Sequence, residues 1–110
     1  MSFGALSANA ILALNEGARQ NNFAHDTGEG GISAYHKRSG DALVWNIGSG
    51  YFGCRDNLGG GLKKHSSRVR ACPKKMIEIK LSQGAKLGHG GILPSDKVTE
   101  EIAQARGVMT

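Results

Sequence analysis

The residues of this chain that are best placed for chemistry lie where a strand-like segment runs into a glycine-rich loop, within residues 76–94. Lys80, Gln83 and Lys86 follow one another there at intervals of three. Buried strands normally lack lysine, because removing an ammonium group from water without a partner is costly. A strand that ends in these side chains therefore predicts a binding site for an anionic or polar ligand.

The elements that must position these side chains alternate between strand and helix along the chain. Short apolar or alternating runs predict four strands, at residues 1–6, 23–26, 42–47 and 76–81. Helical periodicity predicts a first helix over residues 8–21, capped by Ser7. A second helix is expected to begin at Ser95, with Gly107 as its C-cap. This order is typical of an α/β fold with parallel connections.

Each predicted strand is followed by a segment rich in glycine and polar residues. These segments are residues 4–7, 27–31, 48–51 and 83–91. In parallel α/β barrels the ligand lies at the carboxyl ends of the strands. We therefore expect the four segments to meet at one site.

Length and composition limit the chain to one small domain. Its 110 residues include 17 glycines, clustered in loops beside polar residues, which favours a ligand-binding enzyme over a helical bundle. No apolar run approaches the roughly 18 residues of a membrane span, and no basic stretch followed by an apolar one marks a secretory signal. We therefore expect a cytoplasmic protein.

The two cysteines, Cys54 and Cys72, form neither a CxxC motif nor a zinc-ligand spacing. In a reducing cytosol both are expected to be thiols. The sequence therefore predicts no metal site.

Much of the net charge of +5 comes from one basic segment, residues 63–75. Phosphate contacts require clustered lysine and arginine side chains, so a nucleic-acid-binding module is one alternative function. The segment has no interleaved aromatic residue for base stacking, which favours a solvated run instead. The glycine-rich loops also lack the GxxxxGKS/T pattern of a phosphate-binding loop.

Four motifs, in order along the chain, resemble the FMN-binding synthase domain of glutamate synthase. They are MSFGALS at 1–7, TGEGG at 27–31, GSGYFG at 48–53 and IKLSQGAKLGHGGILP at 79–94. The segment from Lys97 to Arg106 continues the match. His89 stands where the large enzymes have Glu, so the chain looks closer to the smaller stand-alone members of the family.

The resemblance implies a (β/α)8 barrel of the TIM type, of which this chain would supply about the first half. It also implies a reductive reaction, in which reduced FMN gives a hydride to 2-iminoglutarate, formed from 2-oxoglutarate and ammonia, to yield glutamate. The implied partners are a small 2-oxo acid and ammonia. Neither a membrane nor a nucleic acid is implied.

The resemblance also implies, by position, which residues form the site. Those that would bind the cofactor are Ser2, Gly4, Ala5, Lys80 and Gln83. Those that would bind the substrate are Glu29, Gln83, Lys86 and Arg106. Glu29 and Lys80 are the implied catalytic residues, because a carboxylate can hold ammonia or the imine and a cation can meet the charge of a reduced flavin.

The chain departs from the family pattern in ways that predict a truncated product, with residues 1–110 forming one partial domain. A whole barrel needs ~250 residues, residues 57–75 do not resemble the family, and Leu87 replaces a usual proline. We therefore expect weak FMN binding and no catalysis by the isolated chain. Self-association, or a partner chain that completes the barrel, is expected as well. An inactive, associating fragment is the second alternative function.

Overall fold

The computed structural model, which describes residues 1–38, 42–55, 74–86, 88 and 92–109, shows an α/β protein. Helix α1 spans Ala8–Gln20, and strands β1, β2 and β3 span His25–Asp26, Leu43–Ile47 and Lys74–Ile79. A 3-10 helix at Ser95–Lys97 precedes helix α2 at Glu100–Arg106. The prediction of an α/β fold is confirmed at this level.

Helix α1 forms because a capping residue precedes a run of good helix formers. The Ser7 hydroxyl accepts a hydrogen bond from the Ala10 N–H at 3.2 Å, which satisfies one of the unpaired donors of the first turn. Ile11, Asn15 and Ala18 are buried, and their spacing places them on one face of the helix. The predicted helix and its cap are confirmed.

The three strands form one parallel sheet in the order β1-β2-β3. In the central register, Trp45 lies opposite Ile77. The ladder continues one residue past β3, where the Lys80 N–H donates to the Ile47 carbonyl at 2.9 Å. Because all three strands run in the same direction, their carboxyl ends and the segments that follow them lie at one edge of the sheet.

The residues before α1 differ from the prediction, since residues 1–6 do not form a strand. Gly4 has a φ of 105°, which turns the chain, and only an isolated bridge joins Phe3 to Leu6. The described residues therefore form three strands rather than the expected four.

The second helix also begins later than expected. Ser95 starts the 3-10 helix, whereas Thr99 caps α2 by accepting a hydrogen bond from the Ile102 N–H at 3.4 Å. Gly107 ends α2 with a φ of 71°, as predicted. A left-handed residue at this position suits glycine, which has no Cβ to clash.

The apolar core draws on both helices, on β2 and on the loops between them. Its buried apolar members are Phe3, Ile11, Ala18, Leu43, Trp45, Cys54, Ile102 and Ala103. The ring of Phe3 packs against Tyr35 with 5.1 Å between centroids. Trp45 is therefore a core residue, while Cys72 lies outside the described residues.

Strand β3 contrasts with this core because its apolar side chains are exposed. Ile79 is 68% exposed, and Met76 and Ile77 are exposed as well, as is Leu81 just after the strand. In the part of the chain that is described, β3 is thus an edge strand that nothing covers. None of the helices described is long and apolar enough to cross a membrane.

Candidate functional site

The carboxyl ends of the strands border a cavity of about 550 Å³, within the range of small-molecule sites. Its walls come from the segments after β1, β2 and β3, the first residues of the chain and the end of α2. Among the residues that line it are Ser2, Gly4, Ala5, Glu29, Gln83 and Arg106. The structure thus brings together segments that are far apart in sequence.

One wall of the cavity carries a carboxylate held by an amide and a cation. The Nε2 of Gln83 donates to both carboxylate oxygens of Glu29 at 3.0 Å. The Nζ of Lys80 lies 3.6 Å from Glu29 Oε1. Lys80 and Glu29 are 41% and 30% exposed, so the pair is open to solvent and to a ligand. The cluster offers a carboxylate, an amide and an ammonium group within reach of one small molecule.

The guanidinium of Arg106, in the last turn of α2, also lines the cavity. Its Nη2 donates to Ser2 Oγ at 3.2 Å and to the Phe3 carbonyl at 3.4 Å, and its Cζ lies 5.2 Å from the centre of the Phe52 ring. Burial lowers the pKa of this guanidinium from its ordinary value. Its Nε is buried with no hydrogen-bond partner among the described residues.

Arg106 also forms no ion pair within the described part of the chain. A partly buried cation that lines a cavity and lacks an ion pair there is suited to bind an anionic group. The Gly53 N–H donates to the Arg106 carbonyl at 2.8 Å, so the loop after β2 holds the end of α2 in place.

The segment around Ser2 is held against the turn after β1 by a close backbone approach. Gly28 has a φ of 63°, and a Cβ on it would lie 2.8 Å from the Ser2 nitrogen. The Gly28 N–H donates to Asp26 Oδ1 at 2.6 Å, which fixes the turn. Asp26 therefore has a structural role, and a larger residue at position 28 would push Ser2 out of the cavity wall.

The predicted site residues do not all line this cavity. Lys86 is exposed and lies outside the lining, and Lys80 reaches it through Glu29 rather than lining it. His89 and most of the basic segment 63–75 fall outside the described residues.

Several residues that the sequence analysis did not name as site residues also line the cavity, among them Phe52 and Lys97. Phe52 stacks on Arg106, and Lys97 adds a further cation to the rim. Phe52 lies in the motif at 48–53, and Lys97 begins the segment that continues the resemblance. The resemblance is therefore the sequence signal from which both residues could have been predicted.

A second, smaller cavity of about 300 Å³ lies between the loop at Ser33–Lys37 and α2. Its lining includes Tyr35, whose hydroxyl donates to Glu101 at 2.9 Å. No group of three or more His, Cys, Asp or Glu side chains that could hold a metal ion occurs among the described residues.

The fold and the site together define an α/β protein with a polar, cation-bearing ligand cavity at the ends of its parallel strands. The family model described as a conserved region in glutamate synthase matches residues 1–110. The chain belongs to the glutamate synthase family.

Curated relatives support this assignment. The chain is 39% identical over 107 residues to an archaeal-type glutamate synthase [NADPH] of Thermotoga maritima, a match that covers 96% of the chain and 18% of that protein. It is 38% identical over 110 residues to the glutamate synthase large subunit-like protein YerD of Bacillus subtilis, covering 98% of the chain and 21% of that protein. The chain therefore spans about a fifth of the length of these relatives.

A longer enzyme also matches. The identity is 38% over 112 residues with the glutamate synthase [NADPH] large chain of Azospirillum brasilense, covering 96% of this chain and 7% of that one. No solved structure matches the chain significantly.

Proposed function

We propose that this chain supplies one part of the active site of a glutamate synthase, which forms glutamate from 2-oxoglutarate and ammonia through 2-iminoglutarate. The observation that carries the proposal is the single cavity on which Glu29, Gln83 and Arg106 converge from distant segments, with Lys80 paired to Glu29. The kinship with glutamate synthases supports the choice of substrate.

A dicarboxylic 2-oxo acid presents two carboxylates, and the cavity is lined by the cations Arg106 and Lys97, with Lys80 paired to Glu29 at its edge. Arg106 lines the cavity and would bind one carboxylate, since guanidinium groups pair well with carboxylates. Lys80, Gln83 and Lys86 would bind the other end of the substrate, with Lys86 moving in from its exposed position. Charge-assisted hydrogen bonds of this kind contribute roughly 1.5–3 kcal/mol each.

Glu29 is the residue proposed to handle ammonia. Its carboxylate lies at the cavity wall, and a carboxylate can accept hydrogen bonds from ammonia or from the N–H of an imine. Gln83 and Lys80 hold the carboxylate in place before substrate binds. Glu29 would thus orient the nitrogen that becomes the amino group of glutamate.

The residues present fit FMN as the hydride donor. The cavity combines the backbone of Gly4 and Ala5 with cations and with apolar side chains such as Phe52. Ser2, Gly4 and Ala5 would lie against the flavin, with Lys80 and Gln83 at its edge. When bound, FMN supplies the hydride that reduces the imine.

The complete domain would be a (β/α)8 barrel, which needs ~250 residues. We therefore expect the 110-residue polypeptide on its own to bind FMN weakly and to be inactive until a second chain, or a second copy of itself, completes the barrel. A flavin fluorescence titration tests this part, and a sub-micromolar dissociation constant would contradict it.

A titration with 2-oxoglutarate tests the substrate site, followed by the amide resonances of the 15N-labelled chain. We expect 2-oxoglutarate to bind more tightly than pyruvate, which has a single carboxylate. The Arg106→Gln variant should weaken 2-oxoglutarate binding about tenfold, the equivalent of one charge-assisted hydrogen bond.

Lys37→Gln is the matched control, because Lys37 is an exposed cation that lines the other cavity. It should leave the 2-oxoglutarate affinity unchanged. Equal affinity for the two acids, or equal loss in both variants, would overturn the proposed substrate site.

A further inference from the structure

Gly48, directly after β2, leaves the space in which the side chain of Glu29 lies. A Cβ placed on Gly48 would be 2.8 Å from Glu29 Cγ and 2.7 Å from Glu29 Cδ, and closer still to Oε1. These separations are well below ordinary van der Waals contact. Gly48 does not have a positive φ, so the backbone itself does not call for glycine here. The absence of a side chain at position 48 therefore provides the space that the Glu29 side chain fills.

The sheet order explains why Glu29 must pass over this position. Glu29 follows β1, whereas Lys80 and Gln83 follow β3, and β2 lies between those two strands. Neighbouring strands are about 4.8 Å apart, so a side chain that joins the ends of β1 and β3 must cross the end of β2. Gly48 occupies that end of the middle strand.

We infer that Gly48 is a positioning residue for Glu29, an inference that rests on the proposed function of Glu29 at the substrate nitrogen. With no side chain at position 48, the Glu29 carboxylate can reach across β2 to Gln83 Nε2 at 3.0 Å and to Lys80 Nζ at 3.6 Å. Any side chain at position 48 displaces the carboxylate toward the solvent and separates it from both partners. The glycine of this motif thus sets the position of the acidic group in the cavity.

The Gly48→Ala variant of the full 110-residue chain tests the inference, with the side-chain amide resonance of Gln83 as the readout. In the wild-type chain this amide donates to both oxygens of Glu29, so its chemical shift reports the contact. In Gly48→Ala we expect the resonance to move to the position that it has in Glu29→Ala. Gly17→Ala is the matched control, because a Cβ on Gly17 meets no atom within 4 Å, and it should leave the Gln83 resonance unchanged.

A double variant separates positioning from a general packing effect. Once Glu29→Ala has emptied the space, adding Gly48→Ala should change neither the Gln83 resonance nor the thermal midpoint. If Gly48→Ala alone fails to fold, the double variant is still expected to fold. A Gln83 resonance that stays at its wild-type position in Gly48→Ala, or a double variant that is as unstable as Gly48→Ala, would overturn the inference.

None of these measurements involves substrate or flavin, so the two proposals fail in different ways. A wild-type chain that does not bind 2-oxoglutarate would remove the proposed function but leave the Gln83 result standing. An unmoved Gln83 resonance would remove the role of Gly48 but leave the substrate titration standing.

Discussion

Two histidines hold the first residues of the chain against the rest of the domain. His36 Nδ1 accepts a hydrogen bond from the Ser33 N–H at 3.1 Å, and its Nε2 lies 2.8 Å from the Met1 carbonyl. The Nδ1 of His25 bonds to the Asn15 side chain. Because Nδ1 of His36 accepts, only its Nε2 carries a proton, and this ring is neutral in the folded chain. The segment that forms one wall of the cavity therefore depends on neutral imidazole.

The domain should lose stability on mild acidification. Burial, the charge of the N-terminal amine and His36 lower the pKa of His25 to about 4, and burial lowers the pKa of His36 as well. In the unfolded chain histidine has a pKa of ~6.5, so as the pH falls the unfolded state binds protons before the folded state does. The histidine contribution to stability is present above that value and is lost as the pH falls from about 6.5 toward 4.

Urea unfolding at pH 7, 6 and 5 measures this effect above the range in which carboxylates titrate. We expect the free energy of unfolding to fall steadily across the series. In a His25→Asn, His36→Asn double variant the slope should flatten, whatever its absolute stability. A wild-type free energy that is constant from pH 7 to pH 5 would contradict the prediction.

At the scale of single residues, the sequence predicted that the segments after the strands would meet, but not how their side chains pair. Glu29, Gln83 and Arg106 stand in segments that follow strands or end a helix, and the parallel topology brings such segments together. The crossing of Glu29 over β2 depends on side-chain space at Gly48, which a motif does not reveal. The exposed position of Lys86 likewise depends on the path of its loop.

At the scale of elements, α2 is a helix of seven residues whose position depends on its caps. Isolated helices this short are unstable, so capping and packing must hold it. Because Arg106 lies in its last turn, the order of α2 decides where the guanidinium points.

Removal of the N-cap of α2 should destabilise the domain. Thr99→Ala removes the hydroxyl that accepts from the Ile102 N–H, at an expected cost of about 1 kcal/mol in unfolding free energy. Ser95→Ala is the control, since Ser95 is exposed and the 3-10 helix has no side-chain cap bond. Chemical denaturation measures the free energy of unfolding of both variants. An equal decrease in the two would show that the Thr99 cap does not stabilise α2.

Local signals predicted some elements well and others not, for physical reasons. Ser7 and Gly107 act at helix ends where one residue decides the geometry, and both were identified. Ser95 and Thr99 are both good capping residues, and only the path of the chain selects between them. Residues 1–6 are apolar like a strand, but the positive φ of Gly4 turns them away from an extended conformation.

At the scale of the whole molecule, the described residues cover the middle of the sheet but leave the edge strand β3 exposed. Strand β2 is the middle strand, with Leu43 and Trp45 buried, while β3 exposes apolar side chains along its length. An exposed apolar edge strand can pair with another chain. Lys80 and Gln83, which contact Glu29, follow this edge strand directly along the chain, so a partner that covers β3 would lie close to them.

The 110-residue chain should therefore self-associate through β3. We expect sedimentation velocity to show a sedimentation coefficient that rises with protein concentration. Ile79→Lys places a charge on a side chain that is 68% exposed on the edge strand, and it should raise the dissociation constant by roughly tenfold or more, because burying one such side chain contributes roughly 1.5–3 kcal/mol.

Leu14→Lys makes the same change in charge on the outer face of α1, where the leucine is 43% exposed. It should leave association unchanged, since Leu14 lies on α1 and not on the edge strand β3. A wild-type chain that sediments as a monomer at all concentrations would rule out self-association through this edge. Equal loss of association in both variants would show that net charge, rather than the exposed strand, controls it. Loss in Ile79→Lys alone would show that the exposed strand β3 is the surface through which two copies associate.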